Sequence, residues 1–159
     1  MKSCFALLNK LRNKLRIKAA LFCQQPSQRK IAFLEAFLWL GLARGCVLLL
    51  PFRSIAPYLG RLNQETPEAC IQSELAVVGQ IAWAIATGSR YTPWSSNCLA
   101  RAIAAKMMLR RRKIASTLYL GLKKNANRLE AHAWLRVGEQ IVTGGAIQSQ
   151  FKVISFFGG

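Results

Sequence analysis

The chain reads Pro93-Trp-Ser-Ser-Asn97-Cys98-Leu-Ala-Arg101-Ala, and the helical pattern that follows runs out at Arg110-Arg111-Arg112-Lys113. It continues through Ser116-Thr-Leu-Tyr-Leu-Gly-Leu122 and Glu130-Ala-His132-Ala-Trp134-Leu-Arg-Val137 to Gly144-Gly145. Pro93 and the Ser95-Ser96-Asn97 run suit a loop closing on an N-cap, which puts Cys98 in the first turn of a helix. The helix dipole and the free amides of that turn favour an anion, and the same amides suit the tetrahedral oxyanion of acyl transfer. In the second alternating segment Glu130, His132, Trp134 and Arg136 share one face, and Ala131, Ala133, Leu135 and Val137 share the other. The apolar set is expected to face the core, and the polar, aromatic set to wall a cleft. One reading is a thiol nucleophile with the chain's only histidine as its base. The plainer reading is a packed cysteine and a surface histidine.

Working outward, two-residue alternation predicts strands at Thr117–Leu122 and Glu130–Val137, and more weakly at Gln140–Thr143 and Lys152–Phe156. Upstream, Gln24 to Gln28 with Pro26 reads as a break, and Ile31–Leu50 is apolar except for Glu35 and Arg44. That length reaches across a bilayer, but two charges inside the stretch are costly in lipid, so a core helix is expected. Pro51 to Pro67 holds three prolines and Gly60 and reads as a connection. Glu68–Thr87 reads as a helix, with Thr66 as its cap, Pro67 at its first position and Gly88 closing it. Helices first and antiparallel strands last predict an α+β fold: N-terminal helices, a catalytic helix, then a small antiparallel sheet. Residues 31–159 are expected to form one domain, with a helical part at 31–90 and a Cys-His core at 91–159. Residues 1–30 form a basic amphipathic segment, in which Phe5, Leu7, Leu8, Leu11, Leu15 and Ile17 recur among lysines and arginines. It reads either as a terminal helix packing on the domain or as a membrane-surface helix, and its interrupted apolar run does not suit a signal peptide.

Composition removes several function classes. The chain of 159 residues balances 23 Lys+Arg against 6 Asp+Glu, a net charge of +17 that attracts nucleic acid, anionic lipid or acidic peptide. The basic runs lack interleaved aromatics and any reader motif, so no specific nucleic-acid partner is expected. All six acids are glutamates, which excludes paired-acid glycoside hydrolysis and carboxylate-held magnesium. Five scattered cysteines with no CxxC, beside one histidine, do not suit a metal site, and no cofactor is expected. Apart from Cys98 they read as small buried hydrophobes in a reducing cytoplasm.

Several stretches together resemble one family. They are Asn97-Cys98-Leu99-Ala100-Arg101-Ala102, the Leu109-to-Ile114 helix end, Leu118-Tyr119-Leu120-Gly121-Leu122, Ala131-His132-Ala133-Trp134 and Val142-Thr143-Gly144-Gly145. The helical part joins them through Leu42-Ala43-Arg44 and Leu50-Pro51-Phe52-Arg53. They resemble the leader peptidase of lasso-peptide biosynthesis, the C-terminal domain of microcin-processing proteins, a transglutaminase-like cysteine protease. The resemblance covers most of residues 31–145. It implies a hydrolase that cleaves the leader from a ribosomally made precursor peptide, with Cys98 as nucleophile and His132 as general base. Trp94, Asn97 and Trp134 are candidates to wall a peptide groove, and either tryptophan reads equally as core. A separate leader-recognition protein and an ATP-dependent lasso cyclase are the implied partners. The family's third catalytic residue, an acid, falls where this chain has Gly144. Glu130 is a candidate orienting group, and Gln148 or a backbone carbonyl exposed by the Gly-Gly pair are others. A two-residue turn at Gly138-Glu139 would set Thr143 opposite Trp134 and Gly145 opposite His132. Lys106, Arg110 and Lys113 share a helix stripe that reads either as a steering surface for an acidic leader or as a solvated face. The missing acid supports a second reading, an inactive peptidase-like module that binds precursor and maturation partners.

Overall fold

The computed structural model describes residues 25–68, 72–94, 96–125 and 128–159. The expected N-terminal helix and Cys4, Cys23 and Cys70 lie outside them. Contacts divide the chain into Met1–Ile31 and Ala32–Gly159, and the core and the candidate site belong to the second unit.

Helix α1 spans Ser27–Leu49, followed by the short α2, Phe52–Ile55, a 3-10 turn at Ala56–Leu59 and strand β1, Arg61–Leu62. Helices α3, Gln72–Tyr91, and α4, Cys98–Arg111, come next. Strands β2, Thr117–Asn125, β3, Arg128–Val137, β4, Gln140–Thr143, and β5, Lys152–Gly158, complete the chain. The fold is α+β.

On α1 the buried side chains are Ala32, Ala36, Leu40 and Ala43, a helical stripe turned into the core. The helix is long and apolar enough to cross a membrane. Its acid has a specific partner, however: Glu35 accepts from Arg111 Nη1 at 3.1 Å and from Arg112 Nη2 at 2.6 Å, tying α1 to the end of α4.

Helix α3 does not stop at Gly88 but runs on to Tyr91. A Cβ on Gly88 would stand 3.2 Å from Leu40 Cδ1, so this glycine lets α1 and α3 approach and is not a terminator. Thr66 is not a helix cap either. Its amide and hydroxyl meet Thr117 Oγ1 at 2.9 and 2.8 Å, which fastens the connection to β2.

Helix α4 is built on small residues. Ala100, Ala102, Ala104 and Ala105 are buried with Met108 and Leu109, which brings its axis close to the sheet. At its end Ile114 N donates to Leu109 O at 3.1 Å and Lys113 N to Arg110 O at 3.0 Å, while Lys113 sits at φ 58°. That is a Schellman closure with a lysine where glycine is favoured.

The sheet order is β1-β5-β2-β3-β4, with every neighbouring pair antiparallel. One face, with Leu118, Ala133, Leu135, Val137, Val142 and Phe157, joins the side chains of α1, α3 and α4 in a single core. The turn at Gly138 (φ 53°) pairs Val137 with Gln140, but the register then shifts and sets Thr143 opposite Leu135, not Trp134. A β-bulge puts an extra residue into β4 and re-aims the chain that follows. The strand β1 escaped the sequence reading because two residues carry no alternation.

Lys106 is not part of the basic stripe. It is 2% exposed, and its Nζ donates to the carbonyls of Ser116 at 2.6 Å, Phe157 at 3.3 Å and Gly159 at 3.3 Å. Burial first, and then the Arg110 guanidinium, pull its ammonium from 10.5 down to about 8.

Candidate active site

Asn97 caps α4. Its side-chain oxygen accepts from Ala100 N at 3.0 Å, and Cys98 is the first helical residue. Cys98 is half-buried and packs with Leu99 against the core that also holds Ala133 of β3. The position gives the sulfur the positive end of a 14-residue helix and a turn of amides without intrahelical acceptors.

His132 projects from the sheet face opposite Ala133 and Leu135, beside Trp134. It is 9% exposed, and its Nε2 lies 2.8 Å from Gly144 O. A carbonyl oxygen can only accept, so Nε2 carries the proton and Nδ1 is the basic nitrogen. The ring is held on its faces as well. Trp134 stacks on it at 5.9 Å and 24°, and Phe151 lies at 5.0 Å.

The support continues away from the imidazole. Trp134 stacks on Tyr119 at 5.5 Å and 8°, and Arg136 Nε donates to the Tyr119 hydroxyl at 2.9 Å. That hydroxyl donates to Glu65 at 2.8 Å, and burial, with Glu65 next, pushes its pKa up. Gly121 makes room for the stack, because a Cβ there would lie 2.8 Å from the Trp134 ring. Phe151 and the role of Glu65 carry no local sequence signal, because strands and loops distant along the chain bring them to this face.

The carbonyl reaches the imidazole because of the bulge in β4 and because Gly144 takes φ +77°. A Cβ at Gly144 would stand 2.6 Å from Ala133 O and 3.1 Å from His132 Nε2. Glu130 is exposed and pairs with Lys123 in the ladder. Trp94 lies against Phe37 at 5.5 Å and over Gly41, on the α1 side. Trp134 is 6% exposed. Cys98 thus packs against the core on the α4 side of the sheet while His132 projects from the other face, so the structure does not bring the thiol and the imidazole into contact.

Three buried polar atoms flank these segments without a partner among the described residues: Trp94 Nε1, Thr143 Oγ1 and Gln148 Oε1. Each costs about 1–3 kcal/mol if left unpaired.

The family model of the transglutaminase-like superfamily matches residues 46–155, a span that contains α3, α4 and strands β1 to β4. No curated protein and no solved structure matches the chain. The chain belongs to the transglutaminase-like superfamily, which includes cysteine peptidases.

Proposed function

We propose that this member of the transglutaminase-like superfamily is a cysteine peptidase that removes the leader from a ribosomally synthesised lasso-peptide precursor. The observation that carries the reading is the His132–Gly144 bond, which leaves Nδ1 as the base. Nδ1 takes the Cys98 proton, and the thiolate attacks the scissile carbonyl. The amides of the first turn of α4 receive the oxyanion. The imidazolium returns its proton to the leaving amine, and water then hydrolyses the thioester with His132 again as base. The amine released on the core peptide is the substrate of a separate ATP-dependent lasso cyclase. A separate leader-recognition protein delivers the precursor, and the reaction belongs to the cytoplasm, where Cys98 stays reduced.

A second reading has its own observations: glycine stands at the position of the acid, and Cys98 makes no hydrogen bond to His132. On that reading the domain is an inactive module that binds precursor and maturation partners. Mass spectrometry of the precursor, incubated with this chain and the leader-recognition protein, separates the two. Leader-sized loss that disappears in Cys98→Ala supports the peptidase. Precursor that is bound but remains intact supports the module.

A further inference from the structure

The core uses one face of α1. Leu34, Leu38, Leu42 and Leu49 lie on the other, spaced as one helical stripe, and are 61%, 67%, 59% and 83% exposed. Gly45 falls on the same stripe, and a Cβ there would meet nothing within 4 Å. Leu48 and Leu50, 63% and 48% exposed, widen the stripe at its end. From Leu34 to Leu49 it is about 22 Å long. A soluble monomer seldom leaves so continuous an apolar patch uncovered.

The charge along the same segment selects the occupant. Along α1 and the connection to β1 the cations are Arg29, Lys30, Arg44, Arg53 and Arg61, against a single acid, Glu35. That acid is neutralised by Arg111 and Arg112. An apolar stripe on a cationic segment whose one acid is already paired complements an anionic lipid surface, where hydrophobic insertion and headgroup attraction reinforce each other. The helix does not cross the bilayer. Its Ala32–Ala36–Leu40–Ala43 face is in the protein core, and the ion pairs of Glu35 sit partway along its length. A spanning helix would expose both to hydrocarbon.

We infer that α1 docks in the plane of an anionic membrane surface, with the Leu34–Leu38–Leu42–Leu49 stripe inserted at the headgroup boundary. This holds independently of the chemistry at Cys98. It brings the domain to the membrane as a peripheral protein.

The test is flotation of the full chain with vesicles, either of phosphatidylcholine alone or with one part in three of phosphatidylglycerol. The variants are Leu38→Gln/Leu42→Gln and, as a folding control, thermal melting of each protein. Because both leucines are exposed, the variant melts like the wild type. The wild type floats with the anionic vesicles and much less with the neutral ones, and salt weakens the binding. The variant loses about tenfold or more in binding. The inference is overturned if the wild type stays out of the vesicle fraction, or if the variant floats as well as the wild type. It is also overturned if light scattering shows a wild-type dimer that the variant dissolves without any change in vesicle binding, since the stripe would then be covered by a second copy.

Discussion

His132 Nε2 lies 2.8 Å from the carbonyl oxygen of Gly144, so a backbone group holds the imidazole at the place where the leader-peptidase resemblance puts an acid. A neutral acceptor fixes the tautomer and the ring orientation without adding a negative charge. The aromatic faces of Trp134 and Phe151 restrict what motion remains.

Gly144 is therefore expected to tolerate no side chain. A Cβ would meet Ala133 O at 2.6 Å and His132 Nε2 at 3.1 Å, from a backbone at φ +77°. Gly144→Ala should lower kcat/KM for precursor cleavage by about tenfold to a hundredfold, by misplacing the base. It should also cost about 1–3 kcal/mol in urea unfolding. Gly144→Asp, although it supplies the carboxylate, should not raise activity above the wild type, because the new group has no room between the two strands. Increased activity in Gly144→Asp would show that the chain lacks only a charge.

Asn97 supplies the single side-chain cap of the helix that carries Cys98. Asn97→Ala should cost about 1 kcal/mol in denaturant midpoint, and Asn97→Asp should retain the stability, since a carboxylate accepts the same Ala100 amide.

Lys113 ends that helix in a left-handed conformation, φ 58°. A residue with a Cβ pays roughly 1 kcal/mol there, so Lys113→Gly should raise stability by up to about that amount. A lower melting temperature for Lys113→Gly would mean that the lysine makes a compensating contact.

Lys106 gives the fold a specific pH response. Its ammonium is held at about 8 in the folded chain against 10.5 ordinarily. Between those values the unfolded chain binds more protons than the folded one, so stability rises with pH. Below about 8 the lysine is charged in both states and the cost of burying it is fully present. Urea midpoints should therefore climb from pH 8 towards pH 10 in the wild type by more than in Lys106→Met, and parallel curves would assign the titration elsewhere.

Much of this molecule could be read along the chain, because its signals are local. Asn97 before Cys98, and the alternation at Thr117–Leu122 and Glu130–Val137, specify α4, β2 and β3 through capping and side-chain period alone. What could not be read depends on pairing. The bulge in β4 decides whether Gly145 or Gly144 reaches His132, and no two-residue period announces it. Gly88 and Thr66 look like punctuation in a sequence, yet one is a contact between helices and the other a clasp on Thr117. Lys106 lies on the same helix stripe as Arg110, and its burial follows only once β5 brings the Phe157 and Gly159 carbonyls over it.

The most direct test of the central claim needs no precursor. Intact-protein mass spectrometry follows alkylation of the native chain by iodoacetamide, with peptide mapping to separate Cys98 from Cys46 and the other thiols. If His132 Nδ1 activates a thiol at the start of α4, Cys98 should react about tenfold or more faster than it does in His132→Ala, and Gly144→Ala should fall between the two. A rate at Cys98 that is the same with and without the imidazole would contradict the dyad and leave the domain a binding module.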